Sequence, residues 1–554
     1  MKLNGILNSE AKTVGGATGI LIIFSLISGF FGLLSDRLLA ARFGAGIEAS
    51  VYFAAFRIPD LVYNVLILGG ILVAFLPIFA EYFGENKEKA WQMANYILSA
   101  FFFLLALSAL VLFILSPWLI KLMAPGFTSE GKSMLLTLVR ILLIQPIILG
   151  ISNIFSGILH YFYRFLAYSL APILYNFGII FGILFLTPYF GIFGVGIGVV
   201  LGAFLHLFIQ VISAVNCGFR FKFLFNFDYP AIKRIFLLMV PRTFGTAANQ
   251  INLIVITAIA STITVGSVAI FNFANNLQGL LTGILGVSLA TAAFPIFSRL
   301  WVNGQKKEFM AKISLILCQI LFLIIPGSIL MFLLRAQIVR IILGSGRFGW
   351  EETRLTAASL GLFALSIFAS TLIPFLTRTF FSFQDTKTPT LISLVSVSTN
   401  ISLSFLLVWL LNYSTPFHDF FQNTLKLQGL ENMGVVALPL AFSIAAILQF
   451  ILLLFFLYKK IGDFGIKKFL NSLKKIIIAS IFMGIVVYLS LKILSNFVQM
   501  DTFLGVFLQA GISASIGILV YYFIISYFKL PELEIFKSFL FKKLGSLKNN
   551  YGKY

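Results

Sequence analysis

Residues 91–122 read WQMANYILSAFFFLLALSALVLFILSPWLIKL. Between Ile97 and Ile120 no residue carries a charge, and Phe, Leu, Ile, Val and Ala fill most positions. About twenty such residues, wound as a helix, cross a ~30 Å hydrocarbon core. A helix apolar on every side needs hydrocarbon or protein all round it. The pattern recurs along the chain. It predicts helices at 14–40, 51–82, 91–122, 132–160, 165–187, 191–216, 232–262, 267–300, 309–334, 354–382, 388–412, 434–458, 473–495 and 503–528. The expected fold is therefore an all-α polytopic membrane protein of about fourteen transmembrane helices. The segments 51–82 and 267–300 exceed a single crossing and are expected to tilt or protrude.

Composition agrees. Of 554 residues 60% are hydrophobic and only 11% charged, against about 25% in soluble domains. The 64 phenylalanines suit a lipid-facing surface. The net charge of +21 sits mainly in short connections between apolar blocks, as in the positive-inside rule. Lysines and arginines crowd the connections after the sixth, eighth and twelfth predicted helices, for example Lys459, Lys460, Lys467, Lys468, Lys474 and Lys475. The connections after the fifth, seventh and thirteenth hold none. Both termini are thus expected in the cytoplasm. Arg335, Arg340 and Arg347 after the ninth helix run against the pattern, partly offset by Glu351 and Glu352. Nucleic acid is not an expected partner, because no basic stripe with stacking aromatics lies outside the spans. Cys217 and Cys318 form neither a disulfide framework nor a metal spacing. The first apolar block is too long for a cleaved leader and reads as a retained helix.

The chain repeats itself. Ala74-Phe75-Leu76-Pro77-Ile78-Phe79 returns about 218 residues later as Ala293-Phe294-Pro295-Ile296-Phe297. Upstream, Phe53-Ala54-Ala55-Phe56-Arg57 is similar to Phe271-Asn272-Phe273-Ala274-Asn275. The competing reading is a chance match between two proline-kinked apolar helices. A true repeat gives two six-helix lobes related by a pseudo-two-fold axis, 1–220 and 221–460. Two extra helices follow at 461–530, then a basic cytoplasmic tail at 531–554. Transporters commonly bind substrate where such repeats meet.

Several motifs carry a family resemblance. Asp36-Arg37-Leu38-Leu39-Ala40-Ala41-Arg42-Phe43-Gly44-Ala45-Gly46, followed by Tyr52-Phe53-Ala54-Ala55-Phe56-Arg57-Ile58-Pro59, resembles the first two helices of the MurJ lipid II flippases. Met123-Ala124-Pro125-Gly126-Phe127, Phe155-Ser156-Gly157-Ile158-Leu159 and Arg378-Thr379-Phe380-Phe381-Ser382-Phe383-Gln384-Asp385-Thr386-Lys387-Thr388-Pro389 agree with that family. So do Pro241-Arg242-Thr243 and Asn249-Gln250-Ile251-Asn252. The resemblance is collinear from about residue 14 to 530. It implies the fold of the MOP exporter superfamily, a place in the bacterial cytoplasmic membrane, and movement of the lipid-linked peptidoglycan precursor across it. Its implied partners are that lipid-linked oligosaccharide, membrane lipid and proteins of cell-wall synthesis. The family's cavity arginines are largely replaced. Ser35, Tyr63, Asn64 and Asn276 stand at such positions, Ser50 and Leu68 at acidic ones.

The remaining membrane-depth polar residues are the candidate substrate contacts, because burying charge in a span is costly and usually functional. Arg57 and Asp60 share a helix face across Pro59. One reading presents Arg57 to a diphosphate, its planar fork matching phosphate oxygens, while Asp60 orients it. The other is a self-neutralising pair that stabilises the kink. Asn64 and Asp36 lie nearby in the sequence. Arg140 and Arg242 either line a cavity or snorkel to an interface. Asn249, Asn252, Asn275 and Asn276, with Asn272, either meet sugar hydroxyls or join helices. No metal pattern and no phosphate-binding loop is present, so no enzyme chemistry and no cofactor is expected. The reading that results is an alternating-access flippase for a lipid-linked oligosaccharide. The rivals are another exporter of the same superfamily and a non-transporting membrane scaffold.

Overall fold

The computed structural model describes residues 14–534 and 537, apart from 69–70, 227, 431–432 and 500. Most of the expected tail, 531–554, lies outside the described residues. Every regular element among the described residues is helical. Among the described residues twelve helices are long and apolar enough to cross a membrane. The pair Trp350–Ala364 and Ile367–Ser382, bent by 48°, makes a thirteenth if it counts as one span. The remaining expected span, 267–300, is helical from Ser267 to Val302, but several of its side chains lie outside the described residues.

The two overlong segments are broken rather than simply tilted. The first consists of Ile47–Ala55, Arg57–Val62, a π-helical turn Tyr63–Leu68 and Ile71–Glu85. Pro59 supplies no N–H, and the chain restarts through Asp60 N donating to Phe56 O at 2.8 Å. The second follows the same plan: Ser267–Leu281, a π-helical turn Thr282–Val287, then Ser288–Val302. In each, the wide turn precedes a helix with an internal proline, Pro77 or Pro295. Such turns and prolines are the usual causes of sharp helix bends.

The chain forms two compact units. One comprises Met1–Phe273, Ile342–Glu352 and Asn400–Leu438. The other comprises Ala274–Ile341, Thr353–Thr399 and Pro439–Tyr554. Lipid gives helices little hydrophobic reason to associate, so close backbone packing has to hold them together. In the first unit Phe165–Phe181 and Ile192–Asn216 meet through glycines. A Cβ on Gly178 would stand 2.3 Å from Gly202 Cα, and one on Gly198 2.6 Å from Gly182 Cα. Polar side chains then tie Ile192–Asn216 to Ile144–Tyr161. Ser152 Oγ lies 2.8 Å from His206 Nδ1, and Ser156 Oγ donates to Gln210 Oε1 at 2.7 Å. A turn of the same unit needs glycine outright: Gly266 has φ +96°, and a Cβ there would stand 2.1 Å from Ala45 O.

Each unit also contains the same aromatic cluster. In the first, Phe79 packs on Trp91 at 5.5 Å between centroids and Phe83 on Phe162 at 5.3 Å, with Lys87 Nζ 5.9 Å from the Phe83 ring. In the second, Phe297 packs on Phe309 at 5.4 Å and Trp301 on Phe383 at 5.2 Å, with Lys306 Nζ 5.8 Å from the Trp301 ring. Phe79, Phe83 and Trp91 precede Phe297, Trp301 and Phe309 by the 218 residues that separate the two proline motifs. This shared packing favours the repeat over a chance similarity of two kinked helices.

Candidate substrate site

The break at Phe56 sets the Arg57 guanidinium inside the first unit, where only 7% of the residue is exposed. A buried guanidinium must find acceptors. Nε donates to Thr257 Oγ1 at 2.8 Å and Nη2 to Asn272 Oδ1 at 2.5 Å. Both acceptors are themselves fixed, Thr257 by donating to Leu253 O at 2.8 Å and Asn272 by donating to Val268 O at 2.6 Å. These bonds tie Arg57–Val62 to Pro230–Ile263 and to the start of Ser267–Leu281. Asp60 stays within electrostatic reach of the guanidinium, but the hydrogen bonds of Arg57 go to a hydroxyl and an amide.

Asp60, half-buried one turn on, faces a tyrosine-rich surrounding. Tyr52, Tyr63 and Tyr175 are all within electrostatic reach of it. Asn64 Nδ2 donates to Asp60 O at 2.8 Å, bracing the helix where the π turn begins. Tyr63 OH accepts from Asn153 Nδ2 at 3.0 Å, and Tyr175 OH accepts from Gln145 Nε2 at 3.1 Å. Gln145 is buried, and its Oε1 has no hydrogen-bond partner. Around Arg57 the first unit thus brings together a guanidinium, the Asp60 carboxylate, and phenols and amides, within predominantly apolar helices. Such a group can hydrogen-bond polyols and amides, and one guanidinium can bind a phosphate oxygen pair.

Asp36 is half-buried in Val14–Phe43, also within reach of Tyr52. Arg140 stands apart from the network, its guanidinium 4.4 Å from the Phe113 ring centroid. Asn252 Oδ1 accepts from Asn400 Nδ2 at 3.0 Å, which joins two helices of the first unit. Asn275 Oδ1 accepts from Gln278 Nε2 at 3.0 Å, within its own helix. Asn249 and Asn276 are exposed. The side chain of Arg242 lies outside the described residues. Sequence reasoning missed Thr257, Asn153 and Tyr175 as members of the group. Their only signal was a polar or phenolic residue within an apolar run, which Ser and Thr at many other positions share.

Comparison with known proteins places the chain. The family model described as Lipid II flippase MurJ matches residues 39–508. A probable lipid II flippase MurJ from Rhizobium tropici is 30% identical over 405 residues, 71% of this chain and 74% of that protein. One from Buchnera aphidicola is 27% identical over 496 residues, 85% of this chain and 96% of that protein. Among solved structures, a lipid II flippase MurJ in an inward closed conformation superposes with TM-score 0.73. It has 24% identity over 92% of this chain and 98% of its own. An inward-facing MATE transporter of the MOP superfamily reaches 0.62 at 15% identity, over 78% and 95%; at that distance the likeness is of fold. With its family model matched over most of its length, this chain belongs to the MurJ family of lipid II flippases.

Proposed function

We propose that this chain moves lipid II from the inner to the outer leaflet of a bacterial cytoplasmic membrane by alternating access, and makes or breaks no covalent bond. Both termini lie in the cytoplasm. Two six-helix lobes, 1–220 and 221–460, rock about the site while the helices of 461–530 stand outside the repeat. The observation that carries the reading is a buried guanidinium with phenols and amides, set inside apolar helices of a chain of this family. A lipid-linked oligosaccharide needs that combination: polar groups for its head, and hydrocarbon beside the helices for its tail. Proteins of cell-wall synthesis supply the substrate and consume it.

The acceptors that hold Arg57 are neutral. Hydrogen bonds to a charged oxygen are roughly twice as strong as those to neutral ones. A diphosphate entering the site therefore displaces Thr257 and Asn272 from the guanidinium, and they act as placeholders in its absence. Asp60, Asn64 and Asp36 line the same approach. Arg242, Asn249 and Asn252, all on Pro230–Ile263, are secondary contacts. The test is replacement of the flippase in a bacterium depleted of its own, with lipid-linked precursor measured in the outer leaflet. Growth and outer-leaflet precursor are expected to return. A chain that inserts and accumulates yet leaves the precursor inside would sink the reading.

A further inference from the structure

The connection after Lys387–Tyr413 holds a ten-residue helix, Thr415–Thr424, of sequence TPFHDFFQNT. At 100° per residue Phe417, Phe420, Phe421 and Thr424 fall on one side, and His418, Asp419, Gln422 and Asn423 on the other. None of its residues is buried. Phe420 is 61% exposed. The phenylalanines touch one another, with Phe417 and Phe421 centroids 4.8 Å apart and Phe420 and Phe421 5.4 Å apart.

We propose that Thr415–Thr424 lies flat in the lipid interface, with its phenylalanine side down among the acyl chains. It belongs to the leaflet opposite the lysine-rich connection 459–475. Three observations select lipid as the occupant. Only Ser414 separates the helix from the end of a spanning helix, and a helix about 15 Å long starting there cannot leave the membrane surface by far. The spanning helix ends in Trp409 and Tyr413, 55% and 75% exposed, with rings 5.9 Å apart. Such residues mark the headgroup level, so the phenylalanine side continues a surface already in lipid. Short helices with a large apolar side and a separate polar side take this position. The polar side carries one carboxylate and one imidazole in contact at 3.4 Å and no lysine or arginine, so apolar insertion rather than headgroup charge holds it. Beyond the helix, Leu427, Leu430 and Met433 are buried in the first unit. A Cβ on Gly434 would lie 3.0 Å from Ile263 Cγ2, at the end of Pro230–Ile263. The anchored helix therefore moors the outer end of that spanning helix to the bilayer surface.

The whole chain, with Cys217→Ala and Cys318→Ala, is reconstituted in phosphatidylcholine vesicles with a nitroxide at Phe420→Cys or Asn423→Cys. Collision with oxygen over collision with a water-soluble nickel chelate is expected to be severalfold higher at 420 than at 423. Equal ratios, or shielding of 420 from both reagents, would overturn the proposal in favour of free solvent or a protein contact. Because Cys318 is buried, a second measurement keeps both native cysteines. Benzoylphenylalanine at position 420 is expected to crosslink to acyl chains on illumination; an adduct to protein, or none, counts against lipid.

Discussion

Arg57→Ala isolates the polar tie between Arg57–Val62 and Pro230–Ile263. The guanidinium is buried and makes two hydrogen bonds, at 2.8 and 2.5 Å. Hydrogen bonds to charged groups contribute about 1.5–3 kcal/mol each. Losing both costs about 3–5 kcal/mol once non-additivity between neighbours is allowed for. Thr257→Val keeps the shape of the side chain and removes one acceptor, leaving Nε–H without a partner at a cost of about 1.5–3 kcal/mol. In the Arg57→Ala background that donor is gone, so Thr257→Val is expected to cost about 0–0.5 kcal/mol. Equilibrium unfolding in mixed detergent micelles measures the four corners of the cycle. A coupling of about 1–3 kcal/mol is expected. Equal costs of Thr257→Val in both backgrounds would refute the tie. The same proteins then separate tie from substrate contact. Per folded molecule, Arg57→Ala is expected to abolish flipping, Arg57→Lys to keep part of it, and Thr257→Val to keep most of it. Full flipping by Arg57→Ala at normal abundance would leave Arg140 and Arg242 as the next cations to test.

Gly198→Ala is expected to lower stability by about 1–3 kcal/mol, because its Cβ would sit 2.6 Å from Gly182 Cα; Gly511→Ala, inside Phe503–Tyr527 with nothing within 4 Å, is the control and is expected to be neutral or slightly stabilising. Burial pushes the Asp385 carboxyl up, but the Lys460 ammonium and the Thr388 backbone N–H outweigh it and hold it below the usual carboxylate range. Its contribution is therefore present above the ordinary carboxylate pKa of about 4 and lost as pH falls through the lowered value. A Lys460→Met chain is expected to lose part of this acid sensitivity in a thermal-stability profile. Gln499 and Lys467 are both exposed, so cysteines placed there test orientation: impermeant reagent outside intact cells is expected to label 499 and miss 467. Labelling in the opposite sense would invert the topology.

Apolar runs such as Ile97–Ile120 were enough to reveal a membrane bundle, since hydrocarbon thickness fixes the length a span needs. The recurrence of Ala-Phe-Leu-Pro-Ile-Phe as Ala-Phe-Pro-Ile-Phe pointed to a repeat, and ordered motifs such as Asp36–Gly46 exposed the family resemblance. These are properties of spacing and composition, which a chain carries before it folds. The breaks within 51–82 were less legible. Pro59 and Pro77 were visible, but prolines within spans are tolerated, and no residue pattern announces a π-helical turn at Tyr63–Leu68.

Who partners Arg57 was decided only by the tertiary structure. Asp60, three residues away, stays within electrostatic reach, but the hydrogen-bond acceptors Thr257 and Asn272 are 200 and 215 residues away. A buried guanidinium takes whichever acceptors the surrounding helices deliver, and that depends on how the helices pack. The same holds for Asn252, whose amide meets Asn400 across 148 residues, and for Arg140, which settles on the Phe113 ring. Periodicity places a side chain on one side of its own helix. Which helix stands opposite is set by close contacts elsewhere, such as Gly178 on Gly202, and no local stretch of sequence encodes them.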